Sequence, residues 1–81
     1  MSMEPRFGMT LSKLTTGQRG VVKSLDGGHL FRSRAANLGF TAGAEVTVVQ
    51  NYGKGPIIVA LRGTRVALGR HEAGLVLVEG A

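Results

Sequence analysis

Glycine interrupts this chain so often that long helices or strands are excluded. The sequence contains 13 glycines in 81 residues, roughly double the average share of about 7%. Between them lie short apolar runs, of which Ile57–Leu61 is the longest without interruption. Sharp corners between short strands need residues that tolerate a positive φ, and glycine is the usual one. The glycine content therefore favours a small β-rich domain with many tight turns.

The same short runs exclude several classes of protein. A membrane-spanning helix needs about 20 consecutive apolar residues, and a secretory signal peptide needs an apolar block of about 7–15 residues near the N-terminus. The sequence offers neither, and it contains no cysteine for a disulfide framework or a cysteine-based zinc finger. We therefore expect a cytoplasmic protein whose core is held by aliphatic packing.

The length allows one domain with one core, because so short a chain buries too little apolar surface for two. Residues 1–9 show no hydrophobic periodicity and include Pro5 and Gly8, so we expect a flexible N-terminal arm. Periodic apolar patterns occupy residues 10–79, which we expect to form the folded domain.

Five segments are rich in valine and isoleucine or alternate between apolar and polar residues, which is typical of strands. Gly63-Thr64 predicts a two-residue hairpin between the third and fourth of them, and residues 10–14 and 69–74 predict single helical turns. Five short strands joined by glycine turns indicate a mainly β fold, a small barrel with one inserted helix. The predicted strands are Arg19–Leu25, residues 45–50, Ile57–Arg62, Arg65–Leu68 and Leu75–Val78.

The inserted helix is predicted over His29–Leu38. Asp26 is placed to cap its N-terminus or to serve as an anion in its first turn. Gly39 is placed to end it with a positive φ, so that Phe40 folds back onto the last turn. One helical stripe is apolar and is predicted to face the core. Its members are Leu30, Phe31, Ala35 and Leu38.

A series of motifs runs along the chain. The first half of the series consists of L-x-x-L at residues 11–14, T-x-G-x-x-G-x-V at 15–22 and a Gly-Gly-His helix start. The second half consists of L-G-F-x-x-G-A-E-V at 38–46, R-G-T-R-V-A-L at 62–68 and E-A-x-x-V-x-V at 72–78. This order resembles the FeoA family, the small cytosolic SH3-like barrel proteins of bacterial ferrous iron uptake. The similarity extends from about Thr10 to Glu79.

The resemblance implies a non-enzymatic accessory or regulatory module of ferrous iron transport. Its implied partner is FeoB, a membrane transporter with a cytosolic GTPase domain, so the protein would meet the membrane only through that partner. Weak self-association is a further expectation. Because iron-dependent repressors carry the same fold as a C-terminal domain, a stand-alone domain related to theirs is an alternative. Gly74 and the loop at residues 51–55 depart from the family pattern.

The charge balance indicates where a partner would bind. Ten basic and five acidic residues give a net charge of +5, which suits an acidic partner or a solvated basic surface. Arg32 and Arg34 lie on the predicted helix, and guanidinium groups bind carboxylates or phosphates well. Tyr52 and Lys54 lie in the loop that follows residues 45–50. These four residues are the predicted partner-binding candidates, and nothing marks one arginine as a finger for GTP hydrolysis.

Two pairs of residues have the chemistry of metal ligands. They are Asp26 with His29, and His71 with Glu72. Iron(II) or zinc needs three or more converging ligands, and the two pairs are far apart in the sequence. We therefore predict no metal cofactor, and these four residues are weak candidates for binding a divalent ion.

Nucleic acid is the alternative partner of a small basic barrel, because such barrels stack bases on aromatic residues beside cations. Phe31 and Phe40 are predicted core residues and Phe7 lies in the arm, so Tyr52 is the remaining stacking platform. The same shortage of aromatic residues argues against a proline-rich ligand. No serine has a recognisable base and no P-loop spacing occurs, so we predict no catalytic residues.

Overall fold

The computed structural model describes residues 8–80, so residues 1–7 of the predicted arm lie outside the described part. Within it, no helix is long and apolar enough to cross a bilayer. A single 3-10 turn at Leu11–Lys13 follows the first strand. The other elements are β1 (Met9–Thr10), β2 (Arg19–Leu25), α1 (His29–Leu38), β3 (Glu45–Gln50), β4 (Ile57–Leu61), β5 (Thr64–Leu68), α2 (Arg70–Ala73) and β6 (Val76–Gly80).

The strands form one antiparallel sheet in the order β1-β6-β2-β3-β4-β5. The prediction of a mainly β fold is confirmed. The sheet contains the five expected strands and one additional strand, β1. This strand pairs Met9 with Val78 and Thr10 with Leu77. It has two residues, too few for an alternating pattern to reveal it in the sequence.

The core is made of the ring of Phe40 and of aliphatic side chains, most of them on the inner face of this sheet. Alternate residues of β3, β4 and β6 are buried and their neighbours are not, as the period of two in a strand requires. No polar or charged side chain is buried among residues 8–80. The largest fully buried side chains are Phe40, Leu11, Ile57, Leu61, Val22, Val46, Val48, Val59, Val76 and Val78.

The pairing of strand β2 with β6 is irregular near Lys23. The pairing of β2 with β6 shifts in register between Val22 and Ser24. Gly20 is buried, and a Cβ built on it would lie 3.1 Å from Leu14 Cδ1 and 3.3 Å from the carbonyl oxygen of Glu79. Glycine at this position therefore allows close packing of the 3-10 turn against the sheet.

Helix α1 begins and ends where the sequence predicts. Gly39 has a φ of 111°, and its N–H donates to the carbonyl of Ala36 at 3.0 Å while the N–H of Phe40 donates to that of Ala35 at 3.0 Å. These two bonds form a Schellman motif and turn the Phe40 ring into the core. The N-terminal prediction is wrong, because Gly28 occupies the cap position and no side chain caps it.

The predicted buried stripe of α1 is wrong for Leu30 and Leu38, and it is confirmed for Ala35 and in part for Phe31. Leu30 is 78% exposed and Leu38 is 49% exposed. Ala35 is buried and Phe31 is partly buried against the core. The reason is that the curved sheet encloses most of its own core, so α1 needs to bury only a narrow edge. Two leucines that would fill a wider helix interface lie in solvent.

The β4–β5 hairpin turns one residue earlier than predicted. Leu61 pairs with Thr64, so the two loop residues are Arg62 and Gly63 rather than Gly63 and Thr64. Their φ angles are 53° and 79°, which is the pattern of a type I′ turn. Arg62 Nη2 donates to Thr41 Oγ1 at 3.3 Å, which joins this hairpin to the segment that follows α1.

Candidate functional site

The four predicted partner-binding residues lie in two places on the surface. Arg32 and Arg34 are on α1, and Tyr52 and Lys54 are in the loop between β3 and β4. All four are exposed, with Tyr52 at 74% and the Arg34 side chain at 71%. Because residues two apart on a helix differ by about 200°, Arg32 and Arg34 point to different sides of α1.

Asn51 fixes the start of the loop. Its Nδ2 donates to the carbonyl of Leu14 at 2.7 Å and to that of Ser12 at 3.3 Å. Its backbone N–H donates to Thr16 Oγ1 at 2.9 Å, and its Oδ1 accepts from the N–H of Gly53 at 3.0 Å. One half-buried amide therefore ties the loop to the 3-10 turn and closes the local turn at Gly53.

Arg70, at the start of α2, holds the same loop from the other side. Its Nη2 donates to Asn51 Oδ1 at 3.0 Å and its Nη1 donates to the carbonyl of Gly55 at 3.0 Å. The guanidinium group thus spans the two ends of the loop. Tyr52 and Lys54 lie on the exposed segment between these anchors, so their backbone is positioned although their side chains are exposed to solvent.

Glu72 connects α2 to α1. Its Oε1 accepts from the N–H of Gly69 at 3.1 Å, and its Oε2 accepts from Arg34 Nη2 at 3.4 Å. The short helix α2 therefore touches the loop through Arg70 and α1 through Glu72. Because α2 connects α1 with the loop through these contacts, we group five exposed residues of α1 and the loop as the helix–loop surface: Leu30, Arg34, Leu38, Tyr52 and Lys54.

The weak metal-ligand candidates remain in separate places. Asp26, His29 and His71 are exposed, and both carboxylate oxygens of Glu72 are engaged as described. Nowhere in residues 8–80 do three or more His, Asp or Glu side chains come together as a metal-binding group. The described residues therefore do not provide the ligand set that iron(II) or zinc requires.

Sequence reasoning missed the residues that support the loop. The Asn51-Tyr52-Gly53 segment is typical of a turn in which asparagine bonds to the backbone two residues on, and that part of the pattern was readable. The contacts of Asn51 with Ser12 and Leu14 join residues far apart in the chain, and no local pattern predicts them. The role of Arg70 was missed for the same reason.

The chain is similar to several known proteins. The model of the FeoA domain matches residues 9–80. A protein of Methanocaldococcus jannaschii named for Fe(2+) transport is 32% identical over 65 residues, 80% of this chain and 78% of that protein. A fusion of Fe(2+) transport protein A with Fe(2+) transporter FeoB from Porphyromonas gingivalis is 35% identical over 72 residues, 88% of this chain and 8% of the fusion protein.

Solved structures share the architecture. Stenotrophomonas maltophilia FeoA in complex with zinc, described as a prokaryotic SH3 domain protein, has a TM-score of 0.80 and 36% identity, with 89% of this chain and 91% of that chain covered. A manganese-dependent transcriptional repressor has a TM-score of 0.82 but 20% identity, with 100% of this chain and 45% of that chain covered; this likeness extends to the fold alone.

These findings agree on the fold and on the family. The predicted SH3-like barrel is confirmed by the match to the Stenotrophomonas maltophilia protein. The domain model matches nearly all of the described residues, and the Methanocaldococcus jannaschii relative matches most of its own length. The chain belongs to the FeoA family.

Proposed function

We propose that this protein is a non-enzymatic accessory module of ferrous iron transport that binds the cytosolic side of a FeoB-type GTPase transporter. The observation that carries the proposal is the Porphyromonas gingivalis fusion, in which a segment similar to this chain and a FeoB transporter belong to one polypeptide. Joining two modules in one chain raises their effective concentration for each other. Two modules that are joined in one relative are therefore candidates to bind each other where they occur as separate chains.

The helix–loop surface supports a binding role. It combines large exposed apolar side chains with the cations Arg34 and Lys54, and its loop is positioned by the hydrogen bonds of Asn51 and Arg70. A positioned surface loses less entropy when it binds than a mobile one does. Arg32, on the other side of α1, would contact a partner that extends around the helix.

The test is a titration of the protein against the full-length FeoB-type transporter of the same organism, held in lipid nanodiscs. We expect saturable binding, with nanodiscs that lack the transporter as the control. The Tyr52→Ala and Lys54→Ala variants should bind more weakly. Absence of binding at about 100 μM by a folded protein would overturn the proposal, because accessory contacts are detectable in that range.

Nucleic acid remains the alternative partner class, and the structure limits the number of aromatic side chains on which its bases could stack. Phe40 is fully buried and Phe31 is half-buried, so Tyr52 is the one exposed aromatic side chain in residues 8–80. A single platform gives weak stacking, of about 1–3 kcal/mol per base. Binding of single-stranded RNA that falls steeply with salt would support this alternative, and its absence at low salt would remove it.

A further inference from the structure

We propose that the exposed flank of α1 formed by Leu30, Arg34 and Leu38 is the docking element of this protein, and that it fits an apolar groove bordered by carboxylates on the FeoB-type transporter. The inference rests on the proposed function and assigns the contact to one part of the helix–loop surface. It makes the loop that carries Tyr52 and Lys54 a secondary contact.

The first observation is the geometry of the helix. Leu30, Arg34 and Leu38 are spaced by four residues, so they share one flank of α1. All three are exposed, with Leu30 at 78% and Leu38 at 49%. The helix is held against the barrel through Phe31 and Ala35, which leaves both leucines accessible to solvent, and Arg34 between them makes an exposed ion pair with Glu72. An apolar flank with anchors at such spacing is the form in which helices bind grooves.

The second observation is the charge of the helix, which identifies the chemistry of the partner. Helix α1 contains Arg32, Arg34 and His29 but no acidic residue. A groove that accepts Arg34 between two leucines must offer a carboxylate, because a desolvated guanidinium needs a charged acceptor. A second copy of this chain is a poor occupant, since a two-fold contact between two α1 helices would set cations against cations.

The position of Arg34 also distinguishes a protein groove from a lipid surface. A helix that lies in a membrane interface places its cations on the polar face and its apolar face in the acyl region. In α1 a cation lies at the centre of the apolar flank, between Leu30 and Leu38. That arrangement suits a groove with one fixed carboxylate better than it suits acyl chains.

The third observation is that Arg34 can change partners at little cost. Its contact with Glu72 is an exposed ion pair at 3.4 Å, and such pairs contribute little to stability. When Arg34 leaves, Glu72 keeps its hydrogen bond from the N–H of Gly69. Helix α2 and the loop held by Arg70 therefore remain in place while Arg34 transfers to a carboxylate of the transporter.

The experiment compares variants in the nanodisc titration against the full-length transporter. The Leu30→Ala/Leu38→Ala double variant should lose at least about tenfold in affinity, because each leucine loses an apolar contact on binding. Arg34→Ala should lose about tenfold or more by leaving a carboxylate unpaired. The matched control is Arg65→Ala, which removes the same charge from an exposed position on β5 and should bind within about twofold of wild type.

The outcomes separate this inference from the proposed function. If the wild type binds and the double leucine variant binds equally well, the docking assignment is wrong while the proposed function stands. Equal losses of affinity for Arg34→Ala and Arg65→Ala would show that net charge alone attracts the protein, and would also overturn the docking assignment. Equal binding to nanodiscs with and without the transporter would overturn it as well. If the wild type does not bind at all, both fail. Circular dichroism checks the fold of each variant, and Leu30→Ala alone repeats the test should the double variant unfold.

Discussion

The side chain of Arg62 lies directly over Gly39. A Cβ built on Gly39 would be 3.1 Å from Arg62 Cδ and 3.3 Å from its Nε. Arg62 itself has a φ of 53°, a conformation that costs most residues about 1–2 kcal/mol. The β4–β5 hairpin thus packs on the end of α1 through a residue in an unfavourable backbone conformation, and the absence of a side chain at Gly39 is what allows this contact.

This contact predicts the behaviour of Gly39→Ala. The φ of 111° strains any side chain, and the new methyl group meets Arg62, so we expect the variant to lose about 2–3 kcal/mol of unfolding free energy. Gly43→Ala is the control, because Gly43 has a similar φ of 91° but open space where the methyl group would lie. Urea denaturation measures both, and an equal loss for the two variants would show that the contact with Arg62 is unimportant.

Removing the Arg62 side chain should recover part of the stability that Gly39→Ala loses. In the Gly39→Ala background, Arg62→Ala removes the atoms that the new methyl group meets. We expect the double variant to be more stable than the sum of the two single changes predicts, by about 0.5–1 kcal/mol. A double-mutant cycle in urea measures this coupling, and strict additivity would contradict it.

The exposure of Leu38 predicts that a charge is tolerated there. Leu38→Asp should change stability by less than about 1 kcal/mol, because nearly half of the side chain is already in water. Phe40→Ala, two residues further on, removes a fully buried ring and should cost about 3–5 kcal/mol. Thermal unfolding followed by circular dichroism distinguishes them; unfolding of Leu38→Asp would show that α1 packs more closely than described.

The hydrogen bonds of Asn51 predict a large effect from a single amide. Asn51→Ala leaves the carbonyl of Leu14 and the guanidinium of Arg70 without this partner, and we expect a loss of about 2–3 kcal/mol. The amide hydrogen of Gly53 should exchange faster with solvent, since its acceptor is gone. Tyr52→Ala is the neighbouring control, because that side chain is exposed and its loss should change neither measurement.

Glu72 and Arg34 should contribute unequally to the free energy of unfolding although they form one ion pair. Glu72→Ala removes the acceptor of the Gly69 N–H at the start of α2, which typically costs about 1 kcal/mol. Arg34→Ala removes only an exposed pair and should cost less than about 0.5 kcal/mol. Urea denaturation of both variants checks the difference; a large loss for Arg34→Ala would mean that the ion pair supports the fold.

The strands and the bounds of α1 were predictable because their signals are local. Alternation of valine with polar residues marks β3, and the glycine after Leu38 ends the helix by its own φ preference. The buried face of α1 was not predictable, because Leu30 and Leu38 fit an apolar stripe as well as Ala35 does. Which flank is buried depends on how much of its own core the sheet encloses.

The details of the turns and of the candidate site depended on contacts beyond the local sequence. The hairpin turn was predicted one residue late because arginine rarely adopts a positive φ, so Arg62 was assigned to the strand. Arg34 and Tyr52 were selected from their chemistry as partner-binding candidates; both are exposed, and their role stays a prediction. Their connection through Arg70 and Glu72 requires α2 to lie between α1 and the loop, which no spacing in the sequence reveals.

The pairing of β1 with β6 has a consequence for how such a domain can be attached to other polypeptides. Met9 lies opposite Val78 in an antiparallel ladder, so the described chain enters and leaves the barrel at the same corner. A tether joined at residue 8 or at residue 80 would therefore start from the same corner of the barrel. Tension applied between residues 8 and 80 would separate Met9 from Val78 first and Thr10 from Leu77 next, before it reached the core.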